Sequence, residues 1–356
     1  MTTQAWLNRI GAAVPPYDIH AEFVDFALSA MPDERSRALF ERMAGLADIE
    51  HRFAIFEAAP APREIILDMG GFYRRGAFPS TADRMARYEP EALALAMKAV
   101  EALDIERERN AITHVIVASC TGFTAPGLDF QIIRAAGLRT SVERTIIGFM
   151  GCFAAVNALK LARHIVRSEP HAKVLVVNLE LCSLHLQENF QDLPKMLSFL
   201  LFADGGAAAL VSAEPVGLAL DRFQAAVVPN TDEMITWHIR DQGFEMYLSG
   251  QVPGRIRRFL MAQGAVLLGD RGPRDVALWA VHAGGRTILD AVQGGLDLAP
   301  DSLRYSREVL RSFGNMSSAT LMFVLDRILK GSTSGDGLAM AFGPGLSVES
   351  FAFRRP

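Results

Sequence analysis

The chain runs through one order of elements twice, and this repeat limits its fold more than any single motif does. In the first run a helical pattern over residues 91–103 leads to an apolar strand at 114–118, which ends in Ser119-Cys120-Thr121-Gly122. After a loop through Pro126-Gly127, a glycine turn at 148–151 feeds a helix of small residues that starts beside Cys152, and a strand follows at 173–177. In the second run a helix over 256–268 precedes a strand at 276–281, which ends in His282-Ala283-Gly284-Gly285, and another helix starts near Arg286. The turn at 312–315 then feeds a second small-residue helix, a strand at 337–341 and a turn at 342–345. Cys120 and Cys152 lie 32 residues apart, and His282 and Asn315 lie 33 apart. Two α/β halves, residues 1–215 and 216–356, are therefore expected to face each other across a pseudo-twofold axis. Four polar side chains then fall at equivalent element ends, where loops carry chemistry.

Half of the 356 residues are hydrophobic and 21% are charged, a balance that supports a large core and excludes a disordered chain. The net charge of −4 is spread without a sustained basic block, which argues against a nucleic-acid partner. Arg74-Arg75 and the cluster Arg255, Arg257 and Arg258 remain able to attract a small anion. No basic start with an apolar run and a cleavage site is present, and no apolar stretch reaches membrane-span length, so a cytoplasmic protein is expected. Three cysteines, Cys120, Cys152 and Cys182, form an odd set without zinc-ligand spacing. They read as reduced thiols, with no metal site.

Cys152 follows Gly151 and precedes Phe153-Ala154-Ala155, which places its thiol in the first turn of a helix whose dipole favours a thiolate. His282 ends a strand, and the glycines after it let another molecule approach closely. Asn315 follows Gly314 in the matching turn and offers two amide donors. Together the three can handle a thioester, with His282 supporting the thiolate and then, with Asn315, donating to a developing oxyanion. On these residues alone a papain-like hydrolase and a condensing enzyme are both open.

The motifs Gly148-Phe-Met-Gly-Cys152, Val281-His282-Ala283-Gly284-Gly285, Gly314-Asn315-Met316-Ser317-Ser318 and Phe342-Gly343-Pro344-Gly345-Leu346 resemble those of the chalcone synthase-like type III polyketide synthases. The similarity runs in the same order over nearly the whole chain. It implies a homodimer of thiolase-like αβαβα subunits that condenses malonyl-CoA onto an acyl-CoA starter iteratively, cyclises the product, and needs no cofactor beyond CoA thioester substrates. By position, Cys152 resembles the acyl-carrying nucleophile, and His282 and Asn315 resemble the pair that stabilises the enolate and the oxyanion. Phe202 resembles the gatekeeping aromatic between CoA tunnel and cavity. Cys120, Thr121, Cys182, Ser198, Met246 and Ser317 match cavity positions, Arg42 a cation that contacts CoA phosphate, and Gly284 and Gly285 the close approach to CoA.

The chain departs from the family's plant members at several places. Ala283 replaces a proline and Ala341 a glycine, neither of which removes a reacting group. Met246 stands where a second gatekeeping phenylalanine is common, and Leu39 and Leu46 stand where CoA-contacting lysines are found. Cys120 and Cys182 replace threonines, a pattern resembling bacterial members that make pyrones, resorcinols or naphthalenes, and a fatty acyl starter is the expectation. Two other readings exist: an initiating ketoacyl synthase or hydroxymethylglutaryl-CoA synthase-like enzyme, and an inactive acyl-CoA-binding subunit. Against the first, the active histidine is followed by Ala-Gly-Gly rather than Gln-Ala-Asn. Against the second, all three reacting side chains are present.

Overall fold

The computed structural model describes residues 3–60, 66–269 and 271–356. Its strands are β1 (Ala5–Ala13), β2 (Tyr17–Asp18), β3 (Phe53–Ala54), β4 (His114–Ser119), β5 (Glu143–Gly148), β6 (Val174–Leu181), β7 (Asp204–Ser212), β8 (Leu218–Val227), β9 (Ile235–Arg240), β10 (Gly243–Leu248), β11 (Leu278–Val281), β12 (Gly335–Gly343) and β13 (Ser347–Arg355). The α-helices are α1 (His20–Ala30), α2 (Glu34–Leu46), α3 (Thr81–Leu103), α4 (Leu128–Ala135), α5 (Ala154–Ser168), α6 (Leu193–Leu201), α7 (Val252–Leu268), α8 (Arg286–Gly295), α9 (Arg304–Phe313) and α10 (Ser318–Lys330).

Nine strands form one sheet in the order β11-β12-β13-β8-β1-β7-β6-β4-β5, with β9 and β10 paired as a separate hairpin. The seam between the two runs is short, because β1 meets β8 only over Ala5–Leu7 and Leu218–Leu220. The sheet wraps around α5 and α10, whose small and aliphatic residues are fully buried on both sides: Ala154, Ala155 and Ala158 on one helix, Ala319, Leu321 and Val324 on the other. Alternate strand residues divide the two faces. Ile116, Val176, Ala209, Ala280 and Ala339 point to the central helices, whereas Val117, Val177, Leu210, Val281 and Met340 join the cluster that holds α3, α4, α7 and α8. Helices outside, sheet, central helices, sheet and helices outside make a thiolase-like layered α/β fold.

Several elements run longer than their sequence pattern. Helix α3 begins at Thr81 rather than 91, because a capping box between Ser80 and Asp83 starts it and a continuous apolar face carries it past Pro90. Strand β6 extends to Leu181 rather than stopping at 177, and it carries the polar Asn178 and Glu180 inside the sheet. The β9–β10 hairpin and α6 lie outside the repeated order of elements, yet both wall the site.

Candidate active site

Glycine-led turns set the reacting residues. Gly151 has φ +77°, and a side chain there would bring Cβ to 2.6 Å of Pro344 Cδ. Gly314 has φ +67°, and its Cβ would meet Arg52 Cγ at 2.8 Å. Only glycine satisfies both demands, so each turn delivers the next residue, Cys152 or Asn315, at the mouth of a central helix. Cys152 sits in a one-turn 3₁₀ segment, Gly151–Phe153, that leads into α5, rather than in the α-helix itself.

The amide of Asn315 is fixed at both ends. Its Oδ1 accepts from Ser317 N–H at 2.9 Å and its Nδ2 donates to the Gly284 carbonyl at 3.2 Å, which orients the amide nitrogen toward the cavity that Asn315 lines. The Cys152 thiol approaches Ser317 Oγ at 3.7 Å. His282 follows β11, with its backbone N–H on the Met340 carbonyl, and its two ring nitrogens are buried without a hydrogen-bond partner among the described residues. Such an imidazole is left free to meet a ligand oxygen or a thiol.

Electrostatics in the site favour neutral forms. Burial pushes the Cys152 thiol up to about 12, the Ser317 contact lowers it in part, and the Glu180 charge adds to the rise. Burial alone holds His282 down to about 3. The dipole-stabilised thiolate expected from the sequence is therefore outweighed by desolvation.

One largely apolar cavity gathers Cys152, His282, Asn315 and Phe202. All six expected cavity residues, Cys120, Thr121, Cys182, Ser198, Met246 and Ser317, lie on its wall, as does Gly284. Gly285 is not on that wall; at φ +155° it caps α8 instead. Arg42 lies exposed on α2 and is likewise not on the wall, beside the exposed Leu39 and Leu46. Phe202 is held from behind: its carbonyl and that of Phe199 accept from the buried Arg52 guanidinium at 2.8 and 2.6 Å.

Sequence reasoning missed three wall or support residues. Trp237 on β9 lines the cavity and donates Nε1–H to the Cys120 carbonyl at 2.9 Å. His185 stacks on Phe244 with ring centroids 4.3 Å apart, and one ring nitrogen bonds the Thr121 carbonyl at 2.8 Å, so the hairpin is pinned to the end of β4. Glu180 lies behind the wall. Its signal was an acid inside an apolar strand run.

A thiolase-like fold that brings cysteine, histidine and asparagine to one apolar cavity defines a thioester-condensing enzyme. The N-terminal domain model of the chalcone and stilbene synthases matches residues 2–215, and the C-terminal domain model of that family matches residues 220–355. The chain is 33% identical over 334 residues to the alpha-pyrone synthesis polyketide synthase-like Pks18 of Mycobacterium tuberculosis, which spans 90% of this chain and 80% of that protein. It is 32% identical to bisdemethoxycurcumin synthase of Oryza sativa subsp. japonica, over 96% of this chain and 90% of the relative. The crystal structure of PKS-I from the brown alga Ectocarpus siliculosus superposes with a TM-score of 0.87 at 28% identity, covering 100% of this chain and 99% of that one. The chain belongs to the chalcone and stilbene synthase family, the type III polyketide synthases. It is an acyltransferase-type condensing enzyme, and the ketoacyl synthase reading falls away.

Proposed function

We propose that this enzyme loads an acyl group from an acyl-CoA starter onto Cys152, extends it iteratively with malonyl-CoA and releases a cyclised product. The observation that carries the reading is the single cavity in which Cys152 from one half meets His282 and Asn315 from the other. His282 takes the Cys152 proton, the thiolate attacks the starter thioester, and CoA leaves as its thiol. Burial opposes either charge alone, so thiolate and imidazolium form as a pair. Malonyl-CoA then loses carbon dioxide, and the charge that appears on its thioester oxygen is met by Asn315 Nδ2–H and His282. The enolate carbon attacks the acyl thioester, Cys152 leaves, and the cycle repeats with the extended chain.

In this reading Phe202 separates CoA from the growing chain, and Cys120, Thr121, Cys182, Ser198, Met246 and Ser317 shape the chamber. Gly284 and Gly285 give CoA close passage, and Arg42 meets its phosphate at the mouth. CoA thioesters are the substrates and no further cofactor takes part. The enzyme works as a cytoplasmic homodimer. Among the described residues no helix is long and apolar enough to cross a membrane.

A second cavity shares Cys182, Phe199 and Phe202 with the first and is walled by Phe23, Phe26, Phe56 and Tyr73, with Glu22, Arg52 and Asp68 among its polar residues. Its aromatic wall supports a fatty acyl starter and an alkylpyrone or alkylresorcinol product. The test is product analysis by liquid chromatography and mass spectrometry, with malonyl-CoA alone and with acetyl-, benzoyl- and long-chain acyl-CoA. Pyrones or resorcinols carrying a long alkyl chain are expected. Products formed only from short or aromatic starters overturn the starter assignment, and no extension of any starter overturns the function.

A further inference from the structure

Among the described residues, Glu180 is a carboxylate that ties together both halves of the site, and neither loading nor decarboxylation as proposed uses it. It is 0% exposed, near the end of β6. One oxygen, Oε2, accepts from Cys120 N–H at 2.9 Å and from Thr121 Oγ1–H at 3.0 Å; the other, Oε1, accepts from Ser318 Oγ–H at 2.6 Å. Thr121 Oγ1 already accepts from Leu181 N–H at 2.9 Å, so its only hydrogen goes to Glu180. Burial raises the Glu180 carboxyl above its usual range, and the three donors onto its two oxygens oppose that rise and favour the ionised form; the shortest bond has the length of a charge-assisted one.

Each arm of this junction ends beside a reacting group. Cys120 Sγ accepts from Gly151 N–H at 3.1 Å, which links the junction to the turn that carries Cys152. Ser318 follows Ser317, the residue at φ +47° whose hydroxyl faces the Cys152 thiol and whose N–H holds Asn315 Oδ1. A non-glycine residue persists in that conformation only when its surroundings hold it, and here it is tied on both sides. We infer that Glu180 is the positioning residue of the site, fixing the nucleophile turn against the Asn315–Ser317 turn.

Charged and titratable groups face that thiol from several elements. Glu180 lies behind it on β6, Cys120 at the end of β4 and Cys182 after β6; His282 follows β11 on the same cavity wall, Lys195 on α6 and His185 line that wall too, and Ser317 faces it from the start of α10. Glu180 supplies the negative charge among them, and a fixed anion disfavours a second one nearby. Burial raises the thiols of Cys120 and Cys182, and the Glu180 charge adds to the rise.

This inference rests on Cys152 as nucleophile, and its test is chosen to read thiol chemistry separately from turnover. The pH profile of Cys152 alkylation by iodoacetamide, followed by peptide mass spectrometry, is measured for the parent and for Glu180→Gln, with thermal unfolding to confirm the fold. Removal of the charge is expected to move the midpoint to lower pH. Carbon dioxide release from malonyl-CoA is expected to fall about 10- to 100-fold, as the two turns lose their register. Ser318→Ala keeps the charge and cuts one arm, so it is expected to slow decarboxylation without a downward shift in the alkylation midpoint. A folded Glu180→Gln protein with the parent midpoint, or a Ser318→Ala protein that decarboxylates at the parent rate, overturns the inference. If Glu180→Gln does not fold, the Ser318→Ala result decides the positioning role.

Discussion

Asn315 has its amide oxygen occupied by Ser317 N–H, so its nitrogen is the group turned to donate, and its contribution falls where the reaction creates charge. In the proposed scheme starter loading needs a thiolate, which falls to His282, whereas decarboxylation needs donors aimed at a thioester oxygen. Asn315→Ala is therefore expected to acylate Cys152 at close to the parent rate while releasing carbon dioxide from malonyl-CoA roughly two to three orders of magnitude more slowly. His282→Ala is expected to lose both steps. Equal losses in loading and decarboxylation for Asn315→Ala would remove the division of labour. These two residues and Cys152 were legible in the sequence because each is polar, follows a strand or a glycine, and recurs at matching spacing. Glu180 was not, since one acid in the run Val-Leu-Val-Val-Asn-Leu-Glu-Leu reads as a strand end until Ser318 and Thr121 are seen to meet it. The state of the thiol was also beyond the sequence: a helix start argues for a thiolate, and only the depth of burial shows that desolvation prevails.

Among the elements, β5 stands apart. It pairs with β4 on one side and ends the sheet, and its residues are largely exposed, with Ile146 at 44%. Phe123, Phe130 and Met150 nearby in the chain are exposed as well. A bare edge with apolar side chains is a template for another strand, and a twofold partner adding its own β5 satisfies both copies. Light scattering is expected to report a dimer for the parent and a shift toward monomer for Ile146→Lys at micromolar concentration. A parent that remains monomeric there contradicts the assembly. Repeated elements were readable because their strands and small-residue helices are bounded by glycine turns. The β9–β10 hairpin was not, because its wall residues, Ile235, Trp237, Met246 and Leu248, alternate with polar residues over only six positions per strand.

At the scale of the whole molecule, the site exists because two halves share one sheet and bury α5 and α10 side by side between its arms. Each half alone supplies an incomplete set, a thiol without donors or donors without a thiol. The buried contacts of the central helices bring the two turns together, and the repeat in the sequence foretold the fold class. The volume and branching of the cavity depend on side chains scattered over many elements, and the starter was correspondingly less legible. The account stands on Cys152 as the acyl carrier. Intact-protein mass spectrometry after incubation with a long-chain acyl-CoA, followed by peptide mapping, tests this directly. One acyl adduct per chain on Cys152, absent from Cys152→Ala and retained in Cys120→Ala and Cys182→Ala, is the predicted result; a parent that binds acyl-CoA but never gains an adduct, or a Cys152→Ala protein that still does, contradicts it.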